Sequence, residues 1–353
     1  MAEWKKVKLE DVALLKAGKF VSAQTIAAKP DSVNIYPCFG GNGVRGFVPN
    51  FSHEGVFPII GRQGALCGNV NLAQGKFYAT EHAVVASPQN GNDSIWLYYA
   101  LFYANLNQYA TGQAQPGISV ETINKVPFLL PPIEEQKKIA ATLSVWDSAI
   151  EKMEKLIEAK ECGHAVLMNE MLKNSKTWSC TCLSDMATIK KGKQLNAVDM
   201  ISDGAYYVMN GGITPSGNTD DWNTAENTIS ISEGGNSCGF VAFNKEKFWA
   251  GGHCYTLIDL NENISVRFLF HYLKNMEKEI MAMRVGSGLP NIQKDSISDI
   301  RVLYPSKKEQ ERISNVLDDS LSEIILLKQQ LENYKKQKQG LMQKLLTGQW
   351  RVK

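Results

Sequence analysis

The stretch LPPIEEQKKIAATLSVWDSAI at residues 130–150 returns in altered form as YPSKKEQERISNVLDDSLSEI at residues 304–324, an offset of 174 residues. Each begins with proline, runs through a charged turn to Glu-Gln, and continues as a spaced apolar series. That order is the signature of a helix start. A second copy at a fixed offset is a statement about the whole chain, because a repeated unit limits the fold to a repeated architecture.

The offset holds well beyond these helices. Trp4, Leu9, Asp11, Ala13, Lys16, Gly18 and Lys19 fall on Trp178, Leu183, Asp185, Ala187, Lys190, Gly192 and Lys193. In the middle the offset drops to 171, so one loop differs in length: Tyr36, Gly40, Gly41, Gly64, Cys67 and Gly68 fall on Tyr207, Gly211, Gly212, Gly235, Cys238 and Gly239. An offset of 174 then returns, with Pro116, Pro131, Glu135, Gln136 and Ile139 on Pro290, Pro305, Glu309, Gln310 and Ile313. The 353 residues are a tandem duplication of one unit, a mixed domain followed by a long helix.

Both helices carry a 4-3 apolar spacing, the pattern of a coiled-coil seam. The first seam is Ile139, Leu143, Trp146, Ile150, Met153 and Ile157, then Lys160, His164, Leu167 and Met171. The second is Ile313, Leu317, Ser320, Ile324, Leu327 and Leu331, then Tyr334, Lys338, Leu341 and Leu345. The polar members Lys160/His164 and Tyr334/Lys338 occupy matching positions; register-fixing pairs and a locally hydrated stretch of seam both fit them. Asn174 and Gly348 follow the helices at equivalent positions, and both residue types suit a left-handed cap.

Before each helix the composition changes to Gly, Asn, Ser and Thr with short apolar or alternating runs (VFPII, AVVAS, NTISIS, CYTLID), which read as strands joined by turns. SIWLYYALFYAN and SVRFLFHYLKNM read as one amphipathic helix per domain. The expected fold class is α+β: a tandem duplication of a mixed α/β domain followed by a long helix, each helix carrying a coiled-coil seam. The boundaries are 1–130 for the first domain, 131–174 for the first helix, 175–304 for the second domain and 305–349 for the second helix.

No apolar run approaches a membrane span, the N-terminus lacks a signal-peptide core, and Cys180 and Cys182 form only a C-x-C pair; a reduced, cytoplasmic protein is expected. GGNGVRG formally matches a dinucleotide fingerprint, but Pro49 stands where the helix should run, and the duplicate GGITPSG lacks the pattern. A glycine- and asparagine-rich loop carrying Arg45 fits phosphate better. Phosphate-loop, zinc-protease and nucleophile-elbow motifs are missing, so no catalytic residue is assigned. His82 and His253 are repeat-related but lack enough ligands in register, so no metal site is assigned; they read as packed or hydrogen-bonded turn residues.

Cations and amides recur in these loops. Lys19, Asn42, Arg45, Arg62, Gln63, Gln113 and Gln115 in the first domain, and Lys193, Arg284, Ser287, Asn291 and Gln293 in the second, are the candidate DNA-contacting side chains. Lys16, Lys190 and Lys191 lie nearby. Arginine and lysine suit phosphate and guanine, and asparagine and glutamine suit adenine. Each residue alone also fits ordinary solvated surface. The first 130 residues hold 10 basic and 8 acidic groups, whereas 174–305 hold 12 and 14. Tight DNA affinity from this chain alone is therefore not expected, and a partner would supply positive surface.

As a set, the duplicated Pro-x-x-x-Glu-Gln elements, their long helices, the ending LMQKLLTGQW, and the segments YPCFGGNGVRGF, IIGRQGALCG and GSGLPNIQ resemble the specificity subunits of type I DNA restriction–modification systems. The resemblance covers essentially the whole chain, which is compact for such a subunit. It implies two target-recognition domains, each reading half of a bipartite site in double-stranded DNA, with the two helices pairing as an antiparallel coiled coil and acting as a ruler. It implies two modification (methyltransferase) subunits as partners, and restriction subunits that translocate and cleave. S-adenosylmethionine, ATP and Mg would be bound by those partners, and this chain would direct without catalysing. A subunit of a related methylation-only or fused system is the nearest alternative. A scaffold joining two carbohydrate- or protein-binding domains, or an enzyme built on His82 and His253, is a more distant one.

Overall fold

A computed structural model of the chain describes residues 3–112, 116–173, 177–286, 288 and 290–352. Two long helices, Ile133–Met171 and Lys307–Leu346, each run through both compact units. The first unit comprises Met1–Glu154 with Gln329–Lys353, and the second comprises Lys155–Lys328. Each unit therefore holds a globular part and one half of each helix.

In the first unit, six strands form one sheet in the order Ala13–Ala17, Ala83–Pro88, His53–Gly61, Val70–Ala79, Tyr36–Gly40, Gly43–Val48. All neighbours are antiparallel except Tyr36–Gly40 and Val70–Ala79, which pair parallel through Cys38↔Tyr78. A separate ribbon pairs Lys5–Lys8 with Pro127–Leu130. Helix Ser94–Tyr103 lies against the sheet, burying Trp96, Leu97 and Leu101 with Ile60, Val84 and Ala86. This helix is apolar nearly all round rather than amphipathic, since Phe102 and Tyr103 remain exposed.

The second unit repeats this plan with a split sheet. Four strands run Thr188–Lys191, Cys254–Ile258, Thr228–Ser232, Val241–Asn244, and three more run Gly217–Thr219, Tyr206–Met209, Trp249–Ala250. The single strand Val70–Ala79 has become two pieces. Asn244 ends the first piece by turning inward, where its amide donates to the Thr228 carbonyl (3.0 Å) and Ser230 Oγ (2.9 Å). Pairing registers survive the duplication: Lys16↔Val85 becomes Lys190↔Thr256, and Ile60↔Val84 becomes Ile231↔Tyr255. Helix Val266–Asn275 has one polar side and buries Phe268, Leu269 and Leu273.

The repeated Glu-Gln explains how each domain is fastened to its helix. Gln136 is 1% exposed; its Nε2 donates to Asn92 Oδ1 and the Pro131 carbonyl (both 2.9 Å), and its Oε1 accepts from the Asp93 N–H (2.9 Å). Gln310, 0% exposed, does the same with the Asn263 carbonyl (3.1 Å), the Pro305 carbonyl (2.9 Å) and the Ser265 N–H (2.8 Å). Asp93 and Ser265 are the N-caps of the two short helices. One amide thus joins the start of the long helix to the start of the short one. In the first unit Glu135 adds a paired carboxylate, accepting two bonds from Arg351 (2.6 and 2.7 Å) and one from Trp4 Nε1 (3.0 Å).

The seam is formed as its spacing requires. In the first unit Ile139, Ala140 and Leu143 pack with Leu341, Met342 and Leu345. In the second, Leu167, Met171 and Leu172 pack with Ile313 and Leu317. Low partners of one helix meet high partners of the other, so the pairing is antiparallel within each unit. Trp146, Ile150, Met153 and Ile157 are buried or half-buried, as are Ile324, Leu327 and Leu331. The polar seam members are partnered rather than simply hydrated. Lys160 meets Glu323 (2.7 Å) and His164 meets Ser320 Oγ (3.0 Å). Lys338 binds Asp147, which also accepts from Tyr99, and Tyr334 stands edge-on to Trp146. Gly348 closes the second helix at φ +74°, a left-handed cap; Asn174 lies outside the described residues.

Two predictions follow from this framework. Gln136→Ala leaves a buried N–H and a buried carbonyl without partners, at about 1–3 kcal/mol for each unsatisfied group. Gln310→Ala should cost a similar amount, read as a lower urea midpoint with an unchanged slope; an unshifted midpoint would remove the clamp from the account. The second concerns His271, 1% exposed, whose Nε2 meets Asp318 Oδ1 (2.7 Å) beside Arg267, with His164 also nearby. Burial lowers the His271 pKa against the opposing pull of Asp318. The unfolded chain then binds the extra proton, so this contribution is complete above the ordinary histidine pKa of about 6.5 and is lost as pH falls below it. His271→Gln should flatten the stability slope between about pH 6.5 and 5 in urea titrations. An identical slope in the variant would contradict this.

Candidate nucleic-acid interface

The first candidate surface gathers on the hairpin made by Tyr36–Gly40 and Gly43–Val48. Its turn is Gly41-Asn42, followed by Gly43 at φ +88°, where a side chain would press on Asn71 Oδ1 at 3.2 Å. Arg45 therefore sits on the returning strand and not in a loop as the glycine content suggests. Asn42 and Arg45 face a cavity of about 660 Å³ whose other wall is the Gln63–Leu66 turn, with His82 beside it. Asn42, Arg45 and Gln63 are exposed.

Arg62 is half-buried, and its backbone ties the walls together: its N–H donates to the His82 carbonyl (2.9 Å), and its carbonyl accepts from Ile118 N–H (3.0 Å). Lys19 is exposed but stands apart from this cavity; its N–H donates to the Ala79 carbonyl (3.0 Å), and its charge acts with burial to lower the His53 pKa. Gln113 and Gln115 lie outside the described residues.

In the second unit the equivalent wall is the Gly234–Ser237 turn. Asn291 bridges to Gly234 and to Val285, and its Oδ1 accepts from Gln293 Nε2 (2.9 Å). Arg284 precedes Val285 and is near enough to Cys238 to counter part of the burial that raises this thiol's pKa. Arg284, Asn291 and Gln293 thus gather, all exposed, around one turn. Lys193 sits at the Gly251 side, its N–H bonded to the Ala250 carbonyl (2.9 Å) and its carbonyl to Trp249 Nε1 (2.9 Å). Ser287 lies outside the described residues.

Glu233, absent from the candidate set, occupies the centre of this second site. It is 9% exposed and accepts from Lys191 Nζ (2.5 Å) and Tyr255 OH (3.0 Å), with His253 Nδ1 3.4 Å from its other oxygen. Burial pushes its pKa up, but the bonds from Lys191 and Tyr255 prevail and hold it below the usual carboxylate value. The same offset that aligns the repeat places Glu233 on Arg62, which was the only available signal for it. The His82 ring pairs with its neighbour Glu81 (3.2 Å), and no group of three metal-ligating side chains occurs among the described residues. These exposed cations and amides on Gly-rich turns can contact phosphate and base edges.

Comparison with known proteins agrees with this geometry. The family model described as type I restriction modification DNA specificity domain matches twice, over residues 1–161 and 175–335. The specificity subunit of the type I restriction enzyme EcoprrI from Escherichia coli is 47% identical over 146 residues, 41% of this chain and 36% of that protein. A putative type I specificity subunit from Mycoplasma genitalium is 28% identical over 189 residues, 51% of this chain and 49% of that one. The matched part thus spans less than half the length of either relative. The crystal structure of a type I restriction–modification S subunit from M. genitalium shares the fold, with a TM-score of 0.75 at 22% identity over 97% of this chain and 96% of that one. No helix among the described residues is long and apolar enough to cross a membrane. With both halves matched by the same model on the same duplicated scaffold, the chain belongs to the family of type I restriction modification DNA specificity domains.

Proposed function

We propose that this chain is the DNA-reading, non-catalytic subunit of a type I restriction–modification complex. Each globular domain reads one half of a bipartite duplex site, and the paired helices set the distance between the halves and dock two methyltransferase subunits. The observation that supports this reading is the repeated site: the same turn-and-hairpin frame occurs in both domains, with exposed cations and amides around it. A duplicated scaffold presents two equivalent faces to a duplex, while different side chains on those faces choose different bases. Restriction subunits would complete the assembly. S-adenosylmethionine, ATP and Mg belong to the partners in this reading, and the work would take place in the cytoplasm, where chromosomal DNA is. The second domain's acidic balance fits a chain that borrows positive surface from its partners.

The purified chain alone should show no S-adenosylmethionine-dependent methyl transfer to DNA, whereas the complex with co-expressed modification subunits should methylate a two-part site. Methyl transfer by the isolated chain would defeat the proposal. Within the active complex, Arg45→Ala should weaken use of one half-site only, and Arg284→Ala the other. Loss of a base contact costs about 1–3 kcal/mol of discrimination, and loss of a phosphate contact weakens all sequences alike. Equal effects of both variants on both halves would rule out two independent readers.

A further inference from the structure

The duplication provides two solutions to one loop. At the 171-residue offset, Arg62-Gln63-Gly64-Ala65-Leu66 falls on Glu233-Gly234-Gly235-Asn236-Ser237. The backbone frame is the same in both. The Arg62 and Glu233 N–H groups donate to the carbonyls of His82 and His253, each at 2.9 Å. Gly64 and Gly235 donate to Pro116 and Pro290 at 2.9 and 3.0 Å, and both adopt left-handed φ, +89° and +76°. The thiols of Cys67 and Cys238 donate back to the carbonyls of Arg62 and Glu233 at 3.4 and 3.1 Å. What holds the loop has been kept twice.

What the loop displays has not. In the first domain the Gln63 amide and an apolar tip stand at the surface beside the half-buried Arg62, and Leu66 is 52% exposed with no role in the core. In the second, Asn236 is exposed, while the hydroxyl of Ser237 folds back on the Gly211 carbonyl (2.6 Å). The charge has also moved. Glu233 replaces Arg62, and the cation now comes from Lys191, whose counterpart on the equivalent strand is Ala17. Arg62 with Ala17 carries one positive charge, and Glu233 with Lys191 carries none. A coordinated exchange at two neighbouring positions, inside an unchanged frame, marks a place where the two domains do different work.

We propose that this loop is a specificity-determining element of both domains, resting on the reading that each domain contacts half of a DNA site. Arg62 and Gln63 suit a purine edge, and Leu66 suits a neighbouring thymine methyl. In the second domain the Lys191–Glu233 pair is a positioning element, electrically neutral, that leaves the Asn236 carboxamide as the reader, a chemistry that suits adenine.

The test is to transplant the loop within the full chain in its native complex: Ala17→Lys, Arg62→Glu, Gln63→Gly, Ala65→Asn and Leu66→Ser together, with Ala65→Asn/Leu66→Ser as a surface-only variant. Methylation of genomic DNA is then mapped in cells carrying each variant. The expected result is at least a tenfold loss of methylation at the original first half-site and a changed base preference there. The second half-site and the spacer should stay the same. The surface-only variant should relax the position read by Leu66 even where the fivefold variant assembles poorly. Either variant assembling normally and methylating the original first half-site undiminished overturns the assignment of the loop. A wild-type complex that yields no two-part methylated site overturns the underlying DNA-reading proposal as well, a result distinct from the first.

Discussion

Gln136 and Gln310 are buried where a polar side chain is costly unless every donor and acceptor is met. Both are met in the same way: the amide reaches the proline carbonyl just before its own helix, a group in the connecting turn, and the backbone N–H of the cap of the short helix. This fixes the direction in which each long helix leaves its domain. A seam can act as a spacer only if its ends are rigidly tied to what it separates, so the antiparallel pairing has consequences for function only through these clamps. Around them the two units diverge freely. One adds the Arg351–Glu135–Trp4 group, whereas the other places Arg267 and His271 on Asp318.

The sheet shows how much divergence the plan tolerates. Strand registers next to the clamp and the site are retained residue for residue, while the strand farther out is whole in one unit and broken at Asn244 in the other. The hydrogen bonds that hold the loop backbone are kept in both units, while the side chains displayed at its tip change. In the proposed function, that division would let one scaffold face two different DNA sequences.

Periodicity made the helices, the seam and the duplication legible, because a 4-3 spacing and a fixed offset need no tertiary knowledge. The seam's polar members were legible as positions but not as pairs, since Lys338 meets Asp147 across 191 residues of sequence. The role of Gln136 was hidden for the same reason, its partner Asp93 lying 43 residues away. Glycine content misplaced Arg45, because Gly43 uses its freedom to make a tight turn and the strand resumes at once. The helix at Ser94–Tyr103 looked amphipathic, but its apolar residues encircle it and leave Phe102 and Tyr103 at the surface. Glu233 was visible only as a mismatch in the repeat, opposite Arg62; no motif describes a buried carboxylate that pairs with a lysine of a neighbouring strand.

The central claim is that the helix was written twice to hold two readers at a set distance. One heptad inserted into both helices at matching places, after Ile157 and after Leu331, keeps the apolar seam in phase. Each helix lengthens by about 10 Å at roughly 1.5 Å per residue. Along duplex DNA this is about three base pairs, which also turn one half-site by about 100° relative to the other. Methylation mapping of the extended complex should return both half-sites unchanged, separated by a longer spacer and used less efficiently because the angular match is imperfect. An extended complex that methylates efficiently with its original spacer would contradict the claim.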